Sequence, residues 1–140
     1  MRRNYNRAYL HFIWATWDRL PLISPEVRDQ VYPAILSEFE KMHCRVEALG
    51  GLADHVHLVV HFGSTPSFAE FMKAVKGSSS HLATQLFPSL YFKWQGAYGV
   101  ESVDPDALPV AIRYVQDQAK NHDEGRLIER WETINIDDDP

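Results

Sequence analysis

Apolar and polar residues alternate along the segment 55–61, which reads HVHLVVH. Successive side chains of a β-strand point to opposite faces. In such a strand Val56, Leu58 and Val60 share one face, whereas the three histidines and Val59 share the other. The pattern therefore predicts a strand with one face in the main core and a second face that carries imidazoles toward another part of the molecule.

Similar patterns divide the rest of the chain into elements. We predict a strand over residues 8–18 and then a helix that begins at Pro25, with Ser24 as its N-cap and a kink or restart at Pro33. A hairpin follows, with Gly50 and Gly51 at its turn. The remaining predicted elements are two helices over residues 67–88 separated by GSSS, a strand region over residues 91–104 and a last long helix over residues 104–123. The order β-α-β-β-α-β is the ferredoxin-like split βαβ pattern. We therefore expect an α+β sandwich, an antiparallel sheet with helices on one face, followed by a C-terminal helix that bears Tyr114.

Composition and charge limit the classes of protein. The chain has 140 residues, of which 45% are hydrophobic, and this fits a single domain over residues 1–140. The only cysteine is Cys44, and no run approaches the roughly 20 apolar residues that span a membrane. We expect a cytoplasmic protein with no membrane partner. The net charge of −5 argues against a sequence-blind nucleic-acid binder, because phosphate contacts need Lys and Arg.

His55 and His57 are candidate metal ligands. Side chains at i and i+2 of a strand lie close enough to converge on one cation, and imidazole is the most common metal-ligating side chain. The pair could hold a metal or a phosphate, or each histidine could be hydrogen-bonded filler. A further partner from elsewhere in the chain is needed to decide.

The last predicted helix supplies a candidate partner. Tyr114 and Gln118 are four residues apart and so share one helix face, which His122 extends. A glutamine on a buried face needs partners for its amide. Its oxygen, beside two histidines, could be the third ligand of a hard divalent ion. A tyrosine at this spacing is otherwise ordinary core or surface.

Four blocks of the sequence together resemble a known family. They read DHVHLVV, KAVKGSSSHLATQLFP, WQGAYGVESVD and YVQDQ, in this order. Their order and spacing are similar to those of the HUH single-tyrosine transposases of the insertion-sequence 200/605 type, which include the REP-associated tyrosine transposases. The resemblance runs from about Tyr9 to Trp131.

The resemblance implies a function and a set of site residues. It implies that His55, His57 and Gln118 bind Mg²⁺ or Mn²⁺ and that Tyr114 is the nucleophile. The expected activity is cleavage and rejoining of single-stranded DNA, with hairpin ends, through a 5′-phosphotyrosine. Family members usually work as homodimers in which the tyrosine helix of one subunit often completes the site of the other. The implied location is the prokaryotic cytoplasm.

Other residues are candidates for supporting roles. Lys and hydroxyl side chains are common phosphate partners, and the candidate DNA contacts are Lys76, Ser78, Ser79, Arg3 and Arg7. Asp54 and His122 are candidates to orient the ligands, since metal-bound imidazoles usually donate their other N–H to an acceptor.

Two features differ from the family, and other functions compete with transposition. Asp117 stands where members often have Asn, and Asn121 with His122 stands where they often have two histidines.

A histidine-triad nucleotide hydrolase is one alternative function, although Val59 occupies the place of its central histidine. The others are a domesticated, non-catalytic nucleic-acid-binding module and a small-ligand-binding or purely structural domain.

Overall fold

A computed structural model describes residues 5–63, 65–128 and 131–132. The strands are β1 (Tyr9–Ala15), β2 (Arg45–Gly51), β3 (His55–His61) and β4 (Gly99–Val103), and the helices are α1 (Pro25–Lys41), α2 (Phe68–Leu86), α3 (Leu108–Gln116) and α4 (Gln118–Asp123). The strands form one antiparallel sheet in the order β2-β3-β1-β4. This is the strand order of a split βαβ unit, and it confirms the predicted α+β, ferredoxin-like fold.

The two faces of β3 pack against different helices, as the alternation predicts. Val56, Leu58 and Val60 are fully buried in the larger core, which α1 and α2 cover. Val59 belongs to a second, smaller core with residues of α3. The histidine face of β3 therefore lies under α3, on the side of the sheet opposite α1 and α2.

Two helices are more continuous than the sequence predicts. Pro33 lies inside α1, which continues from Pro25 to Lys41 without a restart, and Val31 and Ile35 on either side of Pro33 are completely buried in the larger core. The GSSS segment does not divide α2. The hydroxyl of Ser79 bonds back to the carbonyl of Val75 at 2.7 Å, so this polar side chain is accommodated inside a continuous helix.

The predictions of a turn at the glycine pair and of one long last helix are wrong. Gly50 and Gly51 are not turn residues, because both lie in β2 and pair with β3, and the turn falls at residues 52–54. The last long helix is two helices. Asp117 adopts φ −101° and ψ 27°, which separates α3 from α4.

Within the described ranges, we find no helix whose length and apolar character would let it cross a membrane.

Candidate metal and tyrosine site

A glycine in β2 lets α3 lie close to the sheet. A Cβ atom at Gly50 would stand 2.2 Å from the carbonyl oxygen of Val115, so no larger residue fits without moving α3. Tyr114, the neighbour of Val115, is thereby placed over the histidine face, and its ring centroid lies 5.7 Å from that of His57. The close packing of α3 on β2 therefore brings the predicted tyrosine to the predicted histidine pair.

The break between α3 and α4 orients the amide of Gln118. The Tyr114 carbonyl accepts hydrogen bonds from Gln118 Nε2 at 3.2 Å and from Asn121 Nδ2 at 2.9 Å. A carbonyl can only accept, so the nitrogen of the Gln118 amide must face it. The amide oxygen consequently points to the Nε2 atoms of His55, at 3.1 Å, and His122, at 3.2 Å.

Each histidine of the pair is held through its Nδ1 atom. His55 Nδ1 lies 2.7 Å from a carboxylate oxygen of Asp54, and His57 Nδ1 lies 2.9 Å from Nε2 of His11. Both rings therefore present Nε2 to the same space. Asp54 occupies the orienting position that the sequence suggested, whereas His11 was not among the predicted residues.

Glu132 is a further member of this group that the sequence did not reveal. One carboxylate oxygen lies 3.2 Å from His57 Nε2 and 3.6 Å from His55 Nε2, and the other lies 3.6 Å from His122 Nε2. The hydroxyl of Tyr114 donates a hydrogen bond to the same carboxylate. Glu132 follows the buried Trp131 and lies outside any periodic pattern, so only the adjacent tryptophan could have marked the segment as packed.

The donor set fits a divalent cation. His55, His122 and Glu132 offer ligand atoms that all lie within 4.8 Å of one another, and His57 and Gln118 contact the same group. When His55 donates from Nδ1 to Asp54, its Nε2 carries a lone pair that faces the lone pairs of the Gln118 oxygen. Such a contact is favourable only with a proton or a cation between the two atoms. Carboxylate and amide oxygens suit Mg²⁺ or Mn²⁺, and the imidazoles favour Mn²⁺ of the two.

Burial shifts the pKa values of several side chains in this group. It raises the pKa of Tyr114 to about 12, with the hydrogen bond to Glu132 as the next cause. Burial also lowers the pKa of His57, although the contact with Glu132 opposes this shift. For Glu132, burial raises the pKa, but the contacts of its carboxylate with His57 and Tyr114 outweigh this effect and bring the pKa to about 2.

Three of the predicted DNA contacts, Lys76, Ser78 and Ser79, lie on α2, which packs on the opposite face of the sheet. Ser79 is fully buried and accepts a hydrogen bond from Trp94 Nε1, so its hydroxyl is not available to a ligand. Lys76 binds the carbonyls of Gln95 and Gly96. Ser78 bonds back to its own helix, Arg7 is exposed ahead of β1, and Arg3 lies outside the described residues. The structure thus gives Lys76 and Ser79 roles within the fold.

A cleft opens beside Tyr114 and has a volume of about 510 Å³. Its basic lining residues are Arg113, Lys120 and Arg126, and Asp117 is acidic. Tyr114 lies over His57 of the same chain, with ring centroids 5.7 Å apart. Sharing of the site between subunits stays a prediction. The connection from β4 to α3 is only residues 104–107, which holds α3 on its own sheet.

Comparisons with known proteins agree on one family. Residues 4–118 match the family described as "Transposase IS200 like". The chain is similar to the ISDra2 transposase TnpA of Deinococcus radiodurans, with 24% identity over 114 residues that cover 77% of this chain and 81% of that protein. A solved putative transposase from D. radiodurans R1 has a TM-score of 0.67 and 24% identity, over 89% of this chain and 95% of that one. A REP-associated tyrosine transposase bound to a REP hairpin has a TM-score of 0.64 and 17% identity, over 87% and 73% of the two chains.

Proposed function

Because the chain belongs to the IS200-like transposase family, we propose that it cleaves and rejoins single-stranded DNA through a covalent bond between Tyr114 and a 5′-phosphate. One observation carries the proposal. The Tyr114 hydroxyl donates to Glu132, whose carboxylate also contacts His57. A nucleophile and a set of metal-type donors therefore share one carboxylate.

The residues of the site fit a resident Mg²⁺ or Mn²⁺. We assign His55, His57 and Gln118 as ligands, with Glu132 and His122 completing the donor set. When bound, a divalent cation would polarise the scissile phosphate and offset the charge that develops on it. Asp54 and His11 hold the two strand imidazoles so that their Nε2 atoms face this position.

Tyr114 acts as the nucleophile in this proposal. Its oxygen forms a bond to phosphorus while the bond from phosphorus to the 3′ oxygen breaks, which leaves a 5′-phosphotyrosine and a 3′-hydroxyl. The phenol proton leaves toward Glu132, to which it already donates, and the 3′ oxygen takes a proton from solvent. A phenol with a pKa of about 12 is a weak nucleophile at neutral pH, so its proton must leave as the new bond to phosphorus forms. The rejoining step reverses these bonds.

The DNA strand would approach through the cleft beside Tyr114. Arg113 and Lys120 give this cleft positive charge in a chain whose net charge is −5, whereas Arg126 is paired with Glu124. Such a groove follows a phosphate backbone without reading its sequence. A hairpin beside the cleavage site is proposed because the structurally similar REP-associated transposase binds one. A homodimer, and the sharing of its site between subunits, stay predictions.

The experiment uses labelled single-stranded DNA from the flanks of the gene, with Mn²⁺ or Mg²⁺. A covalent protein–DNA adduct should form in wild type and should be absent in Tyr114→Phe. The matched control is Tyr9→Phe, a half-buried tyrosine that packs against His61 and is expected to leave adduct formation unchanged. An adduct that persists in Tyr114→Phe would exclude this tyrosine as the nucleophile.

The other functions make different predictions. A non-catalytic binding module would bind the hairpin DNA without forming an adduct under any metal condition. A histidine-triad hydrolase would need a histidine at position 59, where Val59 is fully buried in the smaller core. That position offers no catalytic group, so the hydrolase is the weaker candidate.

A further inference from the structure

His11 is a buried polar residue with an unusual bonding pattern. It lies in β1, next to β3, and is 2% exposed. Its Nε2 atom lies 2.9 Å from Nδ1 of His57. Among the described residues, nothing bonds to its other ring nitrogen, Nδ1. An unpaired polar atom in the core lowers stability, so packing alone gives little reason for a histidine at this position.

The contact between the two rings has two possible arrangements, because a single proton lies between the two nitrogens. If His11 donates, His57 carries its own proton on Nε2 and offers it to Glu132, 3.2 Å away. If His57 donates from Nδ1, its Nε2 carries a lone pair. Only the second arrangement makes His57 a metal ligand.

We infer that His11 is a positioning residue that accepts the Nδ1 proton of His57 and so fixes the tautomer in which His57 Nε2 faces the cation. The inference rests on the proposed metal site but not on DNA cleavage. The two strand imidazoles are then held by unlike partners, His55 by the carboxylate of Asp54 and His57 by a neutral ring.

The surroundings of His11 support a fixed ring rather than a freely rotating one. Its ring centroid lies 5.1 Å from those of both His57 and Trp131, the latter edge-on. Trp131 also packs edge-on against Tyr114, at 5.1 Å. The acceptor for His57 is therefore held by the same tryptophan that packs against the proposed nucleophile.

The test measures Mn²⁺ binding in metal-free protein by electron paramagnetic resonance, for wild type and three variants. His11→Leu removes the acceptor and should weaken Mn²⁺ binding about 10- to 100-fold, the usual effect of losing such a partner. His11→Gln places an amide oxygen near the former Nε2 and should restore binding to within about 3-fold of wild type. Trp14→Phe is the matched control, because Trp14 lies on the opposite face of β1 and its Nε1 is also unpaired among the described residues. It should leave Mn²⁺ affinity unchanged.

A second readout detects the tautomer directly. Nitrogen-15 NMR of histidine side chains in the Mg²⁺-saturated wild type should show the His57 proton on Nδ1. A proton on Nε2 would overturn the inference, as would wild-type Mn²⁺ affinity in a folded His11→Leu variant. If His11→Leu does not fold, the Mn²⁺ affinity of His11→Gln and the position of the His57 proton in wild type still test the inference. Failure of wild type to bind either metal would overturn the metal site as well, whereas the DNA adduct assay tests the cleavage proposal separately.

Discussion

The side-chain amide of Gln118 donates a hydrogen bond to the backbone carbonyl of Tyr114, 3.2 Å away. This bond exists because the helix is interrupted at Asp117. It also turns the amide oxygen of Gln118 toward His55. The interruption between α3 and α4 thus fixes the direction of the proposed oxygen ligand, one turn after the proposed nucleophile.

Replacing Gln118 should lower the Mn²⁺ affinity strongly and the free energy of unfolding only slightly. Gln118→Leu removes the oxygen, whereas Asn121 still donates to the Tyr114 carbonyl at 2.9 Å. We expect Mn²⁺ affinity to fall about 10-fold or more, as for lost contacts at metal sites. The control Asn121→Ala should cost about 1 kcal/mol of unfolding free energy and leave Mn²⁺ affinity nearly unchanged. Equal Mn²⁺ binding by Gln118→Leu and wild type would show that this oxygen is not a ligand.

Glu132 should contribute to metal binding through its charge. Glu132→Gln keeps the size of the side chain but removes the negative charge, and we expect a loss of Mn²⁺ affinity of about 10-fold or more. The same substitution should lower the pKa of Tyr114, because the carboxylate that opposes phenolate formation is gone. Calorimetric titration with Mn²⁺ and ultraviolet titration of the tyrosine check the two effects. An unchanged Mn²⁺ affinity would remove Glu132 from the donor set.

The contact between β2 and α3 should be sensitive to a single methyl group. In Gly50→Ala, the new Cβ would stand 2.2 Å from the Val115 carbonyl oxygen, so α3 must shift. We expect a loss of roughly 1–3 kcal/mol in unfolding free energy together with reduced adduct formation.

Gly77→Ala is the control for this effect. A Cβ at Gly77 meets nothing within 4 Å, and the residue lies inside α2. Alanine should therefore stabilise the protein by about 0.5–1 kcal/mol. Urea unfolding measures both variants, and equal responses at the two glycines would contradict the steric account of Gly50.

Stability of the metal-free protein should fall in mild acid. Burial, followed by the proximity of His57, lowers the pKa of His11 from 6.5 to about 3. Below pH 6.5 the unfolded chain protonates this histidine and the folded chain does not, so unfolding becomes easier as the pH falls toward 3. The cost for one such group is about 1.4 kcal/mol per pH unit. The lowered pKa of His57 acts in the same direction.

Urea unfolding between pH 6.5 and 4.5, in chelator, measures this slope. The window lies above the range in which Glu132 contributes, because its pKa is lowered from 4.5 to about 2. His11→Gln should show a shallower slope than wild type. Identical slopes would mean that His11 is not buried in its neutral form.

The cleft beside Tyr114 should bind phosphate. Arg113→Gln and Lys120→Gln should each weaken binding of single-stranded DNA for every sequence tested. Each should reduce the slope of log K against log salt by about 0.7. Lys93→Gln is the control, because Lys93 lines a separate hollow with α2 and lies 4.0 Å from the ring centre of Trp17. Fluorescence anisotropy over a series of salt concentrations distinguishes them, and a control with the same loss would place the DNA elsewhere.

The sequence predicts the parts of this fold that follow from local periodicity. The alternation in β3 placed Val56 and His57 on opposite faces, and the structure agrees. The spacing of Tyr114 and Gln118 placed them one helical turn apart, although the structure shows a break between them. That break could not be predicted, because residues 110–123 contain neither glycine nor proline.

Other features depend on contacts between distant segments, which local patterns do not encode. A glycine pair is typical of a turn, yet Gly50 is required by the approach of α3 to β2. Serines favour helix ends, yet Ser79 lies inside α2 and bonds back to its carbonyls. Glu132 contacts the site from the last described segment of the chain. In the sequence, only the neighbouring Trp131 indicates that this segment packs against the rest of the protein.

The most direct test of the central claim is to identify the residue that carries the DNA. The adduct formed with Mn²⁺ is digested with nuclease and protease, and mass spectrometry locates the remaining nucleotide. The account predicts a nucleotide joined through phosphate to the peptide that contains Tyr114. A nucleotide on His55, His57 or another residue, with Tyr114 unmodified, would contradict it.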